Sequence, residues 1–175
     1  MRAFLVFLTI AALTHAVTLF NFPGIVMNQA FKRMEARGLP LHEFVLTDRA
    51  TPENQPVVRP SPDLAYSICR FDVSDGPVRI KGASWDGYAS LSVFDSQTNN
   101  VFATSLDNAS SEPRSVIVAL ESDLPEGSSL ATPVIQVKDG RGLALIRRLA
   151  PSDELFAETR RISAGDSCAP IGLPS

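Results

Sequence analysis

The chain has 175 residues, which allows one modest domain with additional segments. Apolar residues make up 45% of the sequence and charged residues 20%, and the formal net charge is -3. This balance excludes the basic surface on which nucleic-acid binding depends. The two histidines and two cysteines do not provide a Cys/His zinc cluster, so we expect no metal site and no cofactor.

The N-terminal segment is an apolar stretch that predicts a membrane anchor over residues 1–27. The stretch runs from Ala3 to Phe20, and no charged residue lies between Arg2 and Lys32. Eighteen helical residues extend about 27 Å, close to the thickness of the hydrocarbon core of a bilayer. The expected structure is therefore a transmembrane helix.

A cleaved signal peptide is the alternative interpretation of this segment. Thr14-His15-Ala16 loosely resembles a small-x-small cleavage site, although threonine is poor in the first position and histidine is unusual. The apolar run continues past this point through Val17, Leu19 and Phe20. Because the apolar core of a signal peptide is normally shorter, we favour a retained anchor.

Two opposing signals bear on the orientation of the anchor. Lys32, Arg33 and Arg37 follow it, and the positive-inside rule would place the domain after them in the cytoplasm. Long domains, however, cross membranes largely regardless of flanking charge, and the cysteines favour an oxidising compartment. We therefore expect a cytoplasmic N-terminus and an extracytoplasmic domain.

Residues 28–60 are expected to form a short helix and a proline-rich tether. The helix over 28–37 should stop at Gly38, because glycine commonly ends helices. The segment 51–62 contains four prolines, which is typical of an extended domain boundary. The compact domain should then occupy residues 61–175.

Apolar and polar residues alternate along much of this domain, which predicts strands. The segments concerned are 65–71, 78–81, 88–94, 101–106, 115–120, 133–138 and 142–148. Asp139-Gly140 predicts a hairpin-type turn between the last two strands. Ser152 suits the N-cap of a helix from Pro151 or Ser152 to about Ile162. The expected fold class is mainly β: a β-sandwich or jelly-roll-like domain with an N-terminal transmembrane helix and a C-terminal helix.

Several motifs follow one another in a characteristic order. They are DLAYS at 63–67, RFDVSDGPV at 70–78, DGYASL at 86–91, TNNVF at 98–102 and a weaker match over 134–148. On these residues the domain resembles a bacterial family called domain of unknown function 1254. The resemblance implies a β-rich sandwich and an envelope setting, and it implies no agreed activity. Longer relatives carry a second domain, numbered 1214, and we expect this chain to be a short anchored form without it.

With the bacterial setting that the resemblance implies, we expect an inner-membrane protein whose domain faces the periplasm. Cys69 and Cys168 then favour a disulfide, because two cysteines without a third tend to pair in an oxidising compartment. Closing a loop of about 100 residues would stabilise the domain by about 4–5 kcal/mol. The alternative is one buried thiol and one exposed thiol.

Candidates for catalysis are few, and we predict no catalytic residues. Four aspartates fall near predicted turns: Asp72, Asp75, Asp86 and Asp95. Paired carboxylates can hydrolyse glycosidic bonds or hold a cation, but aspartate in turns commonly caps backbone amides, and we favour that role. His42 is the one histidine outside the anchor and precedes the tether, so nucleophilic catalysis is poorly supported.

Aromatic, amide and guanidinium side chains form a candidate ligand-binding set, because such groups suit sugars and small amphiphiles. The set is Trp85, Tyr88, Thr98, Asn99, Asn100 and Arg70. In the structural alternative, Tyr88 is a cross-strand core residue, whereas Thr98 and Asn99 shape a loop.

These inferences predict a membrane-anchored, extracytoplasmic β-domain that serves as a binding or accessory module of the cell envelope. Its partners would be the membrane and either envelope proteins or a small ligand, without nucleic acid. A hydrolase or lyase that acts on envelope or carbohydrate material through carboxylates is the alternative. A purely structural subunit of an envelope complex is a third possibility, and the residues favour a non-enzymatic role.

Overall fold

The computed structural model describes residues 1–51, 53, 60–109, 111, 114–121 and 132–171. In these residues the chain forms helix α1, nine strands and helix α2, the last followed by a 3-10 turn over Ser163–Gly165. The helices are α1 (Arg2–Ala36) and α2 (Asp153–Ile162). The strands are β1 (Phe44–Leu46), β2 (Leu64–Asp72), β3 (Val78–Lys81), β4 (Ala89–Phe94), β5 (Asn100–Ser105), β6 (Ser115–Leu120), β7 (Val134–Val137), β8 (Arg141–Leu149) and β9 (Ser167–Pro170).

Helix α1 is continuous over 35 residues and includes both the predicted anchor and the predicted short helix. Pro23 lies inside it. Because proline removes a single N–H donor, the hydrogen bonds on either side carry the helix through this position. The helix ends before Gly38, where φ is 76° and the amide donates to the Glu35 carbonyl at 2.8 Å. The predicted stop at Gly38 is confirmed.

The N-terminal part of α1 is long and apolar enough to span a membrane. An 18-residue window within it has a mean hydropathy of 2.1, and none of that window is buried in the protein. Large apolar side chains such as Phe4, Leu13 and Phe20 are exposed, whereas Met27 and Phe31, farther along the helix, are buried. The exposed part therefore has the surface that lipid contact requires.

Two sheets form the β-domain. The first has the strand order β1-β2-β8-β4-β5 and is antiparallel throughout. The second has the order β7-β6-β3-β9, in which β6 and β7 are parallel and the other pairs antiparallel. The predicted fold class, mainly β with an N-terminal apolar helix and a C-terminal helix, is confirmed.

The hydrophobic core lies between the sheets, because alternate residues of the strands point inward. In β4, Ala89, Leu91 and Val93 are buried, and in β3 the fully buried Val78 and Ile80 alternate with exposed neighbours. Other members of the core are Phe71, Leu106, Val116, Val118, Ala144 and Ile146. The period-two pattern therefore predicted the inward faces of β3 and β4.

Two strands were not predicted, and both are short. β1 has three half-buried residues and pairs with β2. β9 contains serine and proline, which are weak strand formers, and pairs with β3. These strands are specified by their neighbours in the sheets rather than by their own residues. Of the predicted tether, residues 52 and 54–59 lie outside the described residues.

The predicted hairpin at Asp139-Gly140 is wrong. β7 belongs to the second sheet and β8 to the first, so this turn carries the chain between sheets. A Cβ on Gly140 would come 2.1 Å from Ser74 Oγ, so the Ser74 side chain would have to move to admit any other residue here. A local turn signal does not determine which strands pair.

Helix α2 begins as predicted. The Ser152 hydroxyl accepts a hydrogen bond from the Leu155 amide at 3.3 Å, which satisfies one of the free amides of the first turn. Thr159 is fully buried and Ile162 packs against the core. The helix thereby covers one end of the sandwich and leads the chain to β9.

Candidate functional site

Cys69 and Cys168 form a disulfide that joins the two sheets. Cys69 lies on β2, Cys168 lies on β9, and both are buried. Their Cα atoms are 6.5 Å apart, and 99 positions separate them in the sequence. The predicted cysteine pair is present in the structure.

A buried ion pair between Arg148 and Asp166, which the sequence analysis did not predict, lies near this disulfide in the sequence, since Asp166 precedes Cys168 by two positions. Arg148 of β8 points inward, and its Nη1 and Nη2 atoms donate to the Asp166 carboxylate at 2.9 and 2.6 Å. Both side chains are almost completely buried. The Ala83 amide donates to Asp166 at 2.8 Å, and Arg148 donates to the Ala83 carbonyl at 2.9 Å. These bonds fix the first sheet to the segment that leads to β9.

A polar groove of about 420 Å³ lies on the outer face of the first sheet. Strands β5, β4 and β8 lie side by side there. The strand alternation that turns Leu91 inward places Ser90 and Ser92 on the opposite face, where Ser90 is half-buried and Ser92 is buried beside Arg147. Hydroxyl, amide and guanidinium groups dominate its walls, which include Tyr88, Ser90, Ser92, Asn100, Thr104 and Arg147.

Arg147 supplies a positive charge to this groove. Its Nη2 atom donates to Ser92 Oγ at 3.1 Å, whereas its Nε atom is buried and has no hydrogen-bond partner among the described residues. A guanidinium group has five N–H donors, and Ser92 accepts from one of them, so the Nη atoms of Arg147 retain donors for an acidic group. The sequence analysis missed this residue, although the alternation of β8 places it on the face opposite Ile146.

Two of the six residues in the predicted ligand set line the groove. Tyr88 is 51% exposed, and its hydroxyl lies 3.2 Å from Ser90 Oγ. Asn100 lies at the start of β5. In the amide orientation that its neighbours favour, it donates to the carbonyls of Val93 and Phe102 at 3.2 and 2.7 Å. Tyr88 thus presents a free aromatic face, while Asn100 also stabilises the strand pairing.

Thr98 and Asn99 lie in the turn between β4 and β5. Asp95 Oδ1 accepts hydrogen bonds from the Gln97 and Asn99 amides at 2.8 and 2.9 Å, and Asn99 Nδ2 donates to Asp95 Oδ2 at 2.8 Å. Thr98 has a φ of 65°, in the left-handed region. Both residues shape the turn, and neither is among those that line the groove.

Trp85 and Arg70 lie away from the groove. Trp85 is in the core, where its Nε1 atom donates to the Leu149 carbonyl at 3.2 Å. Arg70 is buried, with Nη2 donating to the Leu39 carbonyl at 2.6 Å and Nη1 lying 4.0 Å from the Glu35 carboxylate. Arg70 therefore connects the end of α1 to β2.

The four candidate carboxylates lie at three turns: Asp72 and Asp75 at the turn between β2 and β3, and Asp86 and Asp95 at two others. Asp72 Oδ1 accepts a hydrogen bond from the Ser74 amide at 2.9 Å, Asp95 organises the turn described above, and Asp75 and Asp86 are themselves turn residues. Among the described residues, no group of three or more histidine, cysteine or acidic side chains is placed to hold a metal ion. The contacts of Asp72 and Asp95 are those of carboxylates that cap turns.

His42 lies where the chain enters the first sheet. Its φ is 61°, and its backbone amide donates to the Arg70 carbonyl at 2.8 Å. Its Nδ1 atom is buried without a partner among the described residues. Burial lowers the pKa of His42 below its ordinary value, and the carboxylates of Asp72 and Asp75 oppose that shift. The neutral imidazole is therefore favoured in the folded protein.

A crevice of about 590 Å³ separates α1 from one end of the sandwich. Three turns of the β-domain face the helix there, those between β2 and β3, β4 and β5, and β7 and β8. Gly24 allows close approach, because a Cβ at this position would come 2.8 Å from Gln97 Nε2. The crevice lies where the exposed apolar part of the helix gives way to the part that contains the buried Met27 and Phe31.

These features define a class of protein, a two-sheet sandwich closed by a buried disulfide and preceded by an apolar helix. The model of the family described as a protein of unknown function (DUF1254) matches residues 41–170. The chain therefore belongs to the DUF1254 family. The matched region begins at residue 41, before β1, so it includes this edge strand of the first sheet.

One solved structure shares this fold, and a second gives a weaker superposition. The VPA0106 protein from Vibrio parahaemolyticus superposes with a TM-score of 0.65 at 16% sequence identity, over 85% of this chain and 35% of that one. An uncharacterized protein from Burkholderia cenocepacia gives a TM-score of 0.43 at 9% identity, over 73% of this chain and 34% of that one. The chain thus spans about a third of the length of each. A search of curated proteins found no match.

Proposed function

We propose that this protein is a single-pass inner-membrane protein that presents its β-sandwich to the periplasm as a binding module of the cell envelope. The observation that carries the proposal is the buried disulfide between Cys69 and Cys168 in a domain attached to an exposed apolar helix. Disulfides persist in oxidising compartments and are rare in the bacterial cytosol. An anchor with a cytoplasmic N-terminus would hold the domain on the oxidising side.

The groove on the first sheet is the proposed binding surface. Its hydroxyl groups suit a polyhydroxylated ligand, and the exposed ring of Tyr88 can stack on a sugar face. The Nη donors of Arg147 that Ser92 does not use favour an acidic group on that ligand. We infer an acidic saccharide as the ligand class.

The topology is tested in cells that express the full chain. Membranes are extracted with alkaline carbonate, and thiols are labelled with a polyethylene-glycol maleimide before and after reduction. We expect the protein to stay in the membrane and to label only after reduction. A C-terminal alkaline phosphatase fusion should be active, and a matched β-galactosidase fusion should be inactive. An inactive phosphatase with both thiols free would overturn the proposed location.

Ligand binding is tested on the full chain in mild detergent, through the unfolding temperature reported by Trp85, the only tryptophan. The probes are an oligogalacturonate and the matching neutral oligogalactose. A ligand at about 100 times its Kd stabilises the folded state by about 2.7 kcal/mol. We expect the acidic probe to raise the unfolding temperature and the neutral probe to have little effect.

Arg147→Met should abolish the effect of the acidic probe. The matched control is Arg79→Met, which removes an exposed strand arginine that does not line the groove. Equal stabilisation by both probes, or an undiminished response of Arg147→Met, would contradict the assignment of this groove.

A further inference from the structure

The depth of the crevice relative to the bilayer follows from the number of α1 residues between the apolar span and the residues that line the crevice. If residues 3–20 cross the hydrocarbon core, Asn21 to Ile25 follow over about 7 Å of helix. The headgroup layer on each side of a bilayer is about 5–8 Å thick. The helix wall of the crevice thus begins at the level of the lipid headgroups.

The two walls of the crevice differ in chemistry. The helix contributes the apolar side chains of Phe20, Ile25, Met27 and Phe31, together with the amides of Asn21 and Asn28. The turns of the β-domain contribute polar and charged groups, including Ser96, Asp139 and Arg141. A molecule with one apolar part and one polar part would satisfy both walls.

The polar wall carries a negative charge on Asp139 and a positive charge on Arg141, two positions later in the sequence. Arg141 is exposed at the start of β8 and makes no ion pair or side-chain hydrogen bond to a described residue. Asp139 is also exposed, and its Oδ2 atom accepts a hydrogen bond from Ser96 Oγ at 2.6 Å. A ligand with an anionic and a cationic group would match this pair, whereas a purely anionic ligand would meet the Asp139 carboxylate.

The geometry points to a lipid site: the crevice holds the zwitterionic headgroup of a phosphatidylethanolamine from the membrane in which α1 lies. Its phosphate accepts hydrogen bonds from Arg141, its ammonium group donates to Asp139, and its upper acyl carbons contact Phe20. The volume of about 590 Å³ lies in the range of small-molecule sites, about 300–1,000 Å³. This inference rests on the membrane anchor of the proposed function.

The test uses the full chain reconstituted into nanodiscs that contain equal amounts of phosphatidylethanolamine, phosphatidylcholine and phosphatidylglycerol. Lipids retained on the protein are identified by native mass spectrometry. We expect one retained lipid, with phosphatidylethanolamine favoured about fivefold, since a charge-assisted hydrogen bond to the primary ammonium is unavailable to choline and glycerol headgroups.

Two substitutions separate the contacts. Arg141→Gln should lower retention of phosphatidylethanolamine about fivefold, whereas Arg79→Gln, on an exposed strand position outside the crevice, should leave it unchanged. Asp139→Asn should lower retention of phosphatidylethanolamine about fivefold, to the level of phosphatidylglycerol, and so remove the preference between these two lipids. The unfolding temperature of each variant verifies that it folds. The lipid preference of the unmodified chain tests the site even if a variant fails to fold.

Equal retention of the three lipids would overturn the site, since it indicates ordinary lipid around the helix. Equal losses in Arg141→Gln and Arg79→Gln would also overturn it. The nanodisc measurement does not depend on orientation in the cell, and the thiol and fusion assays do not depend on lipid retention. Failure of the lipid site and failure of the proposed location are therefore distinguishable.

Discussion

On the inner face of the first sheet, Arg148 donates to both oxygens of Asp166 and to the Ala83 carbonyl, and its side chain is almost completely buried. On the outer face, one residue earlier, Arg147 makes one side-chain hydrogen bond, to Ser92, and its Nε atom has no described partner. The two residues are neighbours in one strand with identical side chains. What differs is the set of groups that each face meets, so one arginine is structural and the other remains available to a ligand.

The largest expected effect concerns the disulfide on the inner face. Cys69→Ala with Cys168→Ala should reduce the free energy of unfolding by about 4–5 kcal/mol, because the bond closes a loop of 99 positions in the unfolded chain. Chemical denaturation followed by Trp85 emission measures the change, and the unmodified chain in reductant should match the variant. Equal stability of the oxidised and reduced chains would contradict a role for this bond in holding the sheets together.

The next effect concerns the buried ion pair. Asp166→Ala leaves the Arg148 guanidinium buried without its counter-ion, which should cost about 3–5 kcal/mol in the same assay. The double variant Arg148→Met with Asp166→Leu should recover most of this loss, since it leaves no buried charge. A loss below about 1 kcal/mol in the single variant would show that the pair does not fix the inner face.

Arg147→Met should affect the free energy of unfolding much less than the loss of the buried Arg148–Asp166 pair does. We expect the free energy of unfolding to change by about 0.5 kcal/mol or less, or to rise slightly, because the substitution removes a buried Nε atom that lacks a partner. Urea denaturation of the ligand-free chain measures this change. A loss of more than about 2 kcal/mol would mean that Arg147 is structural and that the contrast between the two faces is false.

The smallest effect is a pH dependence at the edge of the same sheet. The pKa of His42 is lowered by burial, so the unfolded chain binds a proton more readily than the folded chain as the pH falls below about 6.5. Its contribution to stability is present above that pH and is lost as the pH falls through the lower folded pKa. The denaturation midpoint, compared between about pH 8 and about pH 5, should fall less in His42→Gln than in the unmodified chain. Parallel curves would contradict this account.

Much of the fold could be predicted from local patterns. The alternation in β3, β4 and β8, the Ser152 cap and the stop at Gly38 are properties of a few adjacent residues, and the structure contains each of them. The two cysteines could be paired because no other cysteine competes. These signals need no knowledge of which strands are neighbours.

The rest depends on strand order, which local patterns do not contain. Arg147 meets Ser92 only because β8 lies beside β4, and 55 positions separate them in the sequence. Asp166 reaches Arg148 only after α2 has returned the chain across the sandwich. Tyr88 could be assigned to an outer face by alternation, whereas the burial of Trp85 depends on how the sheets close over it.

The late position of Cys168 has a consequence for synthesis. β2, which carries Cys69, comes early in the domain. β9, which carries Cys168 and completes the second sheet, is the last of the described strands. A chain interrupted before β9 would leave one side of β3 unpaired and the sulfur of Cys69 reduced. Proteases and thiol oxidoreductases could therefore distinguish a domain that lacks β9 from one that contains it, because the disulfide closes in the second alone.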